Sequence, residues 1–116
     1  MSKIFKIFII TAVFSLSCYS IGFANTQKIK IGLLVPMTGA HKNLGQLIIK
    51  STKMALEDIG TNNIEIYPKN TASDPNQTLK SAIELKDKGI QIIIGPIFFK
   101  NLIYLDEVKD IIFLSL

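Results

Sequence analysis

The sequence contains one cysteine, one histidine and no arginine. A single cysteine, Cys18, excludes an intrachain disulfide. His41 has no second histidine near it, and no cysteine follows residue 18. A metal site needs several such ligands at suitable spacing, so the sequence predicts neither a metal centre nor a catalytic histidine.

All thirteen basic residues are lysines. Residues 25–116 carry eleven lysines and nine acidic side chains, a net charge of +2. The lysines are scattered and interleaved with acidic residues such as Glu57, Asp58 and Glu84. This pattern is typical of solvated helix faces and excludes the concentrated basic patch of a nucleic-acid-binding protein.

The first 24 residues have the order of a secretory signal peptide. Lys3 and Lys6 form a basic start, residues 7–16 form an apolar run, and Gly22 and Ala24 are small residues flanking Phe23. This order predicts cleavage after Ala24 and export to the periplasm.

Two alternatives to cleavage remain open for this leader. Residues 7–23 form a stretch at the short end of the membrane-spanning range, so the leader could be an uncleaved anchor. Cys18 could accept a lipid, although Leu16 stands two positions before it, where a lipid-attachment motif places its large aliphatic residue three before. Both alternatives are disfavoured, the first because Ser15, Ser17 and Ser20 interrupt the apolar run.

The rest of the chain, residues 25–116, alternates strand and helix patterns and is predicted to form one small α/β domain. Helical crossovers of this length predict a parallel sheet with helices on both faces, in the strand order 2-1-3-4. The predicted strands are residues 28–35, 64–69, 91–94 and 111–114, and the predicted helices are residues 42–59, 75–88 and 100–109.

Apolar spacing predicts the buried face of each helix. The predicted inner residues are Leu44, Leu47, Ile48, Met54, Ala55 and Ile59 in the first helix, Leu79, Ala82, Ile83 and Leu85 in the second, and Leu102, Ile103, Leu105 and Val108 in the third. Asp74 is predicted to cap the second helix, with Pro75 at its first position and Gln77 three residues after the cap. Gly60 and Gly89 are predicted stops.

Ligands of such sheets lie beyond the carboxyl ends of the strands, near the switch between strands 1 and 3. The stretch QIIIGPIFFK ends at this edge, because its strand stops at Gly95. The loops contain no dinucleotide or P-loop motif, and no nucleophile or carboxylate pair gathers in them, so we predict a binding protein without catalysis or cofactor. The candidate ligand-binding residues are Met37, Thr38, Gly39, Asn70, Thr71, Gly95, Pro96, Ile97 and Phe98.

Structural alternatives stay open for several of these positions. Residues 38–41 could only cap the following helix, and Ser73 could cap the second helix. Phe98 and Phe99 could pack against the next helix rather than form a stacking platform for a ligand.

The stretch KIKIGLLVPMTGAHKNLGQLIIKSTKMALEDI resembles the opening of type 1 periplasmic solute-binding proteins of the leucine/isoleucine/valine-binding class. The residues that match the family's pattern are Pro36, Thr38, Gly39, Gly45, Ala55, Asp58 and Ile59. The later stretch IQIIIGPIFFKNLIYL resembles the Gly-Pro loop of the same family, in the form found in the penicillin-binding-protein activator branch.

The resemblance implies a non-catalytic protein that holds a small, amino-acid-like ligand between two lobes for an ABC permease. The alternative it implies is an envelope activator that contacts a peptidoglycan synthase. An exported flavodoxin-like domain is a weaker reading. Residues 97–99 replace the hydroxyl residues of amino-acid binders, and Asn70 replaces an aspartate frequent in the activator branch. The chain matches the first lobe up to its fourth strand, so we expect a lobe fragment that by itself binds little.

Overall fold

Four parallel strands form the centre of the computed structural model, which describes residues 27–116 together with residues 2–4, 6 and 22. The predicted leader, its cleavage site after Ala24 and the lipid alternative at Cys18 lie outside the described residues, apart from those five positions. The elements are β1 (Ile29–Val35), α1 (Lys42–Ile59), β2 (Ile64–Asn70), α2 (Pro75–Asp87), β3 (Ile92–Ile94), a first 3-10 helix (Phe99–Leu102), a second 3-10 helix (Leu105–Glu107) and β4 (Ile112–Leu114).

The strand order β2-β1-β3-β4 confirms the predicted topology. All three pairings are parallel, and β1 lies between β2 and β3. The register places Val35 opposite Asn70 and Leu33 opposite Ile94. The carboxyl ends of these strands therefore lie along one edge of the sheet. At this edge the chain leaves β1 toward β2 on one side, whereas β3 lies on the other side of β1.

The core lies between the sheet and α2. Leu34 and Ile93 project from the central strands onto Ala82 and Leu85 of α2, and all four are fully buried. Burying one such Leu or Ile side chain contributes roughly 1.5–3 kcal/mol. Tyr67, Leu79, Leu102, Ile111 and Phe113 pack around this cluster, which also contains Ile90, Leu105 and Val108.

The caps of α2 agree with the sequence prediction. Asp74 is the N-cap, its side chain accepts a 2.8 Å hydrogen bond from the backbone N–H of Gln77, and Pro75 takes the first helical position. Ser73 is therefore not the cap. Gly60 ends α1 in the left-handed conformation, where its N–H donates to the carbonyls of Leu56 and Glu57.

The predicted inner face of α1 is wrong except at Ile48, which is half-buried. Leu47, Met54 and Ile59 are 62%, 55% and 65% exposed, and Leu44 and Ala55 are exposed as well. The helix turns a neighbouring stripe toward the sheet, made of Gly45, Ile48, Ile49, Thr52 and Leu56. Gly45 decides this orientation, because any Cβ at this position would collide with the carbonyl oxygen of Pro36. The glycine lets α1 approach the end of β1 closely.

Two smaller predictions are also wrong. Ile83 is 43% exposed on α2, and the small polar residues Thr78 and Ser81 are buried beside the predicted Ala82 and Leu85. The predicted third helix is two short 3-10 turns instead, which bury Leu105 and Val108 but leave Ile103 62% exposed. Poorer hydrogen-bond geometry confines such turns to three or four residues.

Within the described residues, no helix is both long enough and apolar enough to cross a membrane.

Candidate functional site

Three loops meet at the carboxyl edge of the sheet. They follow β1 at residues 36–41, β2 at residues 71–74 and β3 at residues 95–98. The backbone N–H of Thr71 donates to the carbonyl of Val35 over 3.0 Å, which extends the β1–β2 ladder into the loops. The structure thus brings together the segments in which the sequence placed its candidate residues.

The side-chain amide of Asn70 joins the first two loops. Its Oδ1 accepts 2.8 Å hydrogen bonds from the backbone N–H groups of Met37 and Ala72, and its Nδ2 donates to Thr38 Oγ1 over 2.9 Å. An amide has two donor hydrogens and an acceptor oxygen, so Asn70 keeps one N–H for another partner. It orients both loops before any ligand arrives.

Thr38 does not cap α1. The N-cap of α1 is His41, without a side-chain capping bond, while the Thr38 hydroxyl accepts from Asn70. Having accepted this bond, the Thr38 hydroxyl can still donate its own hydrogen. Thr38 and Gly39 are exposed at the edge and Met37 is half-buried.

Thr71 lies beneath the surface, with 1% of its area exposed. Its Oγ1 accepts a 3.3 Å hydrogen bond from the N–H of Ser73, and Ser81 Oγ below donates to the carbonyl of Asn70 over 2.6 Å. At this edge, the buried Thr71 side chain therefore stabilises the conformation of the second loop.

Gly95 and Pro96 carry the third loop across the end of β1. Gly95 has φ +100°, and a Cβ there would lie 2.5 Å from the carbonyl oxygen of Leu34, so only glycine fits. Its N–H donates to the carbonyl of Leu114 over 2.8 Å, and the Gly95–Pro96 peptide bond is cis. Both residues are buried, whereas Ile97 and Phe98 after them are half-buried.

An aromatic contact spans the first and third loops. The rings of His41 and Phe98 have centroids 4.7 Å apart at an interplanar angle of 55°, a geometry that aromatic pairs favour. His41 Nδ1 and Ser73 Oγ are 3.2 Å apart, so the same imidazole also contacts the second loop. Phe99 beside them is 87% exposed.

Sequence reasoning missed His41 as a member of this edge. From the sequence it is considered as part of a helix cap, as a metal ligand or as a catalytic histidine, and among the described residues no group of three metal-ligating side chains occurs. The sequence signal that places His41 at this edge is its position in the loop after β1, directly before α1. The imidazole acts here as a bridge between loops.

Sequence reasoning also missed Asn101, which lies in the first 3-10 helix just behind the third loop. Its side chain is fully buried, and neither Nδ2 nor Oδ1 has a hydrogen-bond partner among the described residues. Leaving such a group unpaired costs about 1–3 kcal/mol. No pattern in the sequence distinguishes this asparagine from a surface residue.

The edge as a whole offers several groups that can contact a ligand. It presents ring faces, the hydroxyls of Thr38 and Ser73, and backbone groups of the three loops. The nearby carboxylate of Asp74 is engaged in capping α2.

The chain matches a known family. Residues 28–103 match the family described as periplasmic binding protein. The chain belongs to the periplasmic binding protein family, type 1. Members of the family are generally non-enzymatic and typically periplasmic.

Solved structures of periplasmic binding proteins share the fold. The leucine-binding protein LivK from Thermotoga maritima superposes with a TM-score of 0.66 at 19% identity, over 75% of this chain and 27% of that protein. A solute-binding protein of an ABC transporter from Rhodopseudomonas palustris BisB5, in complex with 3,4-dihydroxybenzoic acid, gives a TM-score of 0.69 at 25% identity, over 76% and 26%.

A third similar structure has a different role. The C-domain of LpoA from Haemophilus influenzae, a regulator of PBP1A, gives a TM-score of 0.63 at 24% identity, over 75% of this chain and 27% of that one. The chain thus spans about a quarter of the length of these structures. Comparison with curated proteins finds no significant match.

Proposed function

We propose that this chain is the amino-terminal part of the first lobe of an exported, non-catalytic binding protein. The complete protein captures a small, amino-acid-like solute between its two lobes and delivers it to an ABC-type importer. The observation that carries this proposal is the preorganised carboxyl edge, where one amide, Asn70, holds two loops in register. Preorganised loops lower the ordering cost of binding a ligand.

The groups at the edge support capture of a ligand that is partly apolar. Thr38 can donate a hydrogen bond, the Gly39 backbone is open to close approach, and the Phe98 ring supplies apolar surface. Binding sites commonly combine apolar lining with a few polar groups of fixed direction. The ligand would be enclosed when the second lobe closes over this edge.

A second candidate function is activation of a peptidoglycan synthase in the envelope. The observation that favours it is the exposed Phe99 beside Phe98, in place of hydroxyl residues. Aromatic side chains are enriched in the centres of protein–protein interfaces. The fold of LpoA, a regulator of PBP1A, also resembles this chain.

Calorimetric titration of the complete protein, as its own gene encodes it, tests the first candidate. We expect one compound from a panel of amino acids and small aromatic acids to bind one per protein. Thr38→Val combined with Phe98→Ala should weaken that binding at least about tenfold, since each change removes on the order of 1 kcal/mol of contact. The matched control, Thr61→Val combined with Met54→Ala, alters a loop residue and an exposed residue of α1 away from this edge.

The second candidate predicts a different result. No panel member would bind, and a purified peptidoglycan synthase of the same cell would be retained on the immobilised protein, with Phe99→Ala reducing retention. Solute binding that Thr38→Val and Phe98→Ala leave unchanged would contradict the site assigned here.

A further inference from the structure

A basic hollow lies at the opposite end of the sheet from the three loops. Its volume is about 610 Å³, and it opens at the amino-terminal ends of β1, β2 and β3 beside the turn that follows α2. We call it the amino-edge hollow. Its lining residues are Gln27, Lys28, Ile29, Lys30, Glu65, Lys88, Gly89, Gln91 and Ile92.

The one carboxylate of the amino-edge hollow is already engaged. Lys28 Nζ donates to Glu65 Oε1 over 3.0 Å, and the Tyr67 hydroxyl donates to Glu65 Oε2 over 2.9 Å. These bonds, together with the charges of Lys28 and Lys30, lower the pKa of Glu65 below its usual value. Both carboxylate oxygens are therefore satisfied from within the protein.

Two further lysines, Lys30 and Lys88, line the same hollow. Lys30 stands opposite Glu65 in the β1–β2 register, and the Lys88 ammonium lies 5.8 Å from the centre of the Tyr67 ring. Among the described residues, neither Lys30 nor Lys88 forms an ion pair within 4.0 Å. Three lysines and one glutamate among its lining residues give the hollow a net charge of +2.

We propose that the amino-edge hollow binds a phosphate-bearing anion. Lysine ammonium groups are compact point charges with three rotatable donors, which suits the oxygens of a phosphate approached from several sides. The anion would offset the positive charge that Lys30 and Lys88 bring to the hollow, and the side-chain amide of Gln91, another lining residue, can add a neutral donor. The hollow lies at the opposite edge of the sheet from the candidate solute site.

The same chemistry fits a free phosphate compound or the headgroup of an anionic lipid. The complete protein, isolated after export, is tested in two arms. Equilibrium dialysis with radiolabelled inorganic phosphate measures the free anion, in chloride of matched ionic strength. Sedimentation with vesicles of phosphatidylglycerol, against vesicles of phosphatidylcholine, measures the headgroup.

The test variant is Lys30→Gln combined with Lys88→Gln, and the matched control is Lys50→Gln combined with Lys53→Gln on the exposed side of α1. Both lower the net charge equally. Removing two partners, each contributing about 1 kcal/mol at contact in water, should weaken binding at least about tenfold. The control should stay within about twofold of the unaltered protein.

Saturable binding in either arm that only the test variant loses supports the proposal, and the arm identifies the source of the phosphate. Equal losses in both variants would show a general effect of net charge and overturn it. Absence of saturable binding in both arms overturns it as well. Unchanged circular dichroism of the variants excludes misfolding, because all four lysines lie at the surface.

Discussion

At the scale of single residues, the carboxyl edge depends on one asparagine. Asn70 makes three hydrogen bonds to residues up to 33 positions away in the chain. Because two of the three partners are backbone N–H groups, the bonds set the course of the main chain. The side chain holds the candidate site in shape even where it does not contact a ligand.

We expect Asn70→Ala to destabilise the protein by about 1–3 kcal/mol, since it leaves the Met37 and Ala72 N–H groups without their acceptor. Urea unfolding followed by circular dichroism measures the change. Asn70→Asp keeps the acceptor oxygens and should cost less. Asn62→Ala, in an exposed turn, is the matched control and should stay within about 0.5 kcal/mol. If Asn70→Ala behaved like this control, the amide would not hold the loops.

The sequence predicted Asn70 at the edge, because it directly follows a recognisable strand. It could not predict the partners, since those depend on how two loops far apart in the chain lie side by side. The contact between His41 and Phe98 escaped prediction for the same reason. Contacts between loops on neighbouring strands are determined by the tertiary structure.

At the scale of elements, α1 shows that apolar periodicity alone does not identify the buried face of a helix. Its predicted bounds agree with the structure, but the helix carries two adjacent apolar stripes. The richer one, with Leu44, Leu47 and Met54, is exposed, and the stripe that starts at Gly45 faces the sheet. Apolar content favours the first stripe, whereas close packing on Pro36 requires the second.

The Gly45→Ala substitution tests whether helix propensity or close packing on Pro36 dominates the stability. Helix propensity alone would stabilise α1 by about 1 kcal/mol, since alanine is the better helix former. The collision with the Pro36 carbonyl should reverse the sign and destabilise the protein by about 1–3 kcal/mol. Urea unfolding distinguishes the two, and Gln46→Ala at the next, exposed position is the control. Greater stability of Gly45→Ala would contradict the packing described for α1.

The segment after β3 failed as a helix prediction for another reason. Its apolar residues have helical spacing, but only Leu105 and Val108 reach the core, while Ile103 points outward. Short turns gain little from cooperativity. Packing around Phe113 and α2 therefore decides their form.

At the scale of the whole molecule, one side of the sheet is unevenly covered. α1 lies over β1, whereas Ile112 and Leu114 of β4 are 61% and 52% exposed. In the described part of the chain, β4 is also an outer strand with a free edge. Such an edge with exposed apolar side chains favours pairing with another chain.

Expressed by itself, the segment 27–116 is therefore expected to self-associate, as analytical ultracentrifugation over a range of concentrations would show. Ile112→Thr with Leu114→Thr should weaken this association at least about tenfold, because each change removes roughly 1.5 kcal/mol or more of apolar burial. Ile83→Thr, at an exposed apolar residue of α2, should leave it unchanged. A segment that stays monomeric at all concentrations would refute the expectation.

The sequence by itself determined the order and type of the main elements, the parallel sheet in the order 2-1-3-4, the caps of α2 and the edge at which the loops gather. These follow from local periodicity, turn chemistry and the handedness of crossovers, which act over short stretches of chain. Only the tertiary structure decided which stripe of α1 is buried, which partners Asn70 holds, and that three lysines and one carboxylate line a hollow at the opposite edge. Those features depend on the close approach of distant segments, and side-chain volume and charge settle them only after the sheet has formed.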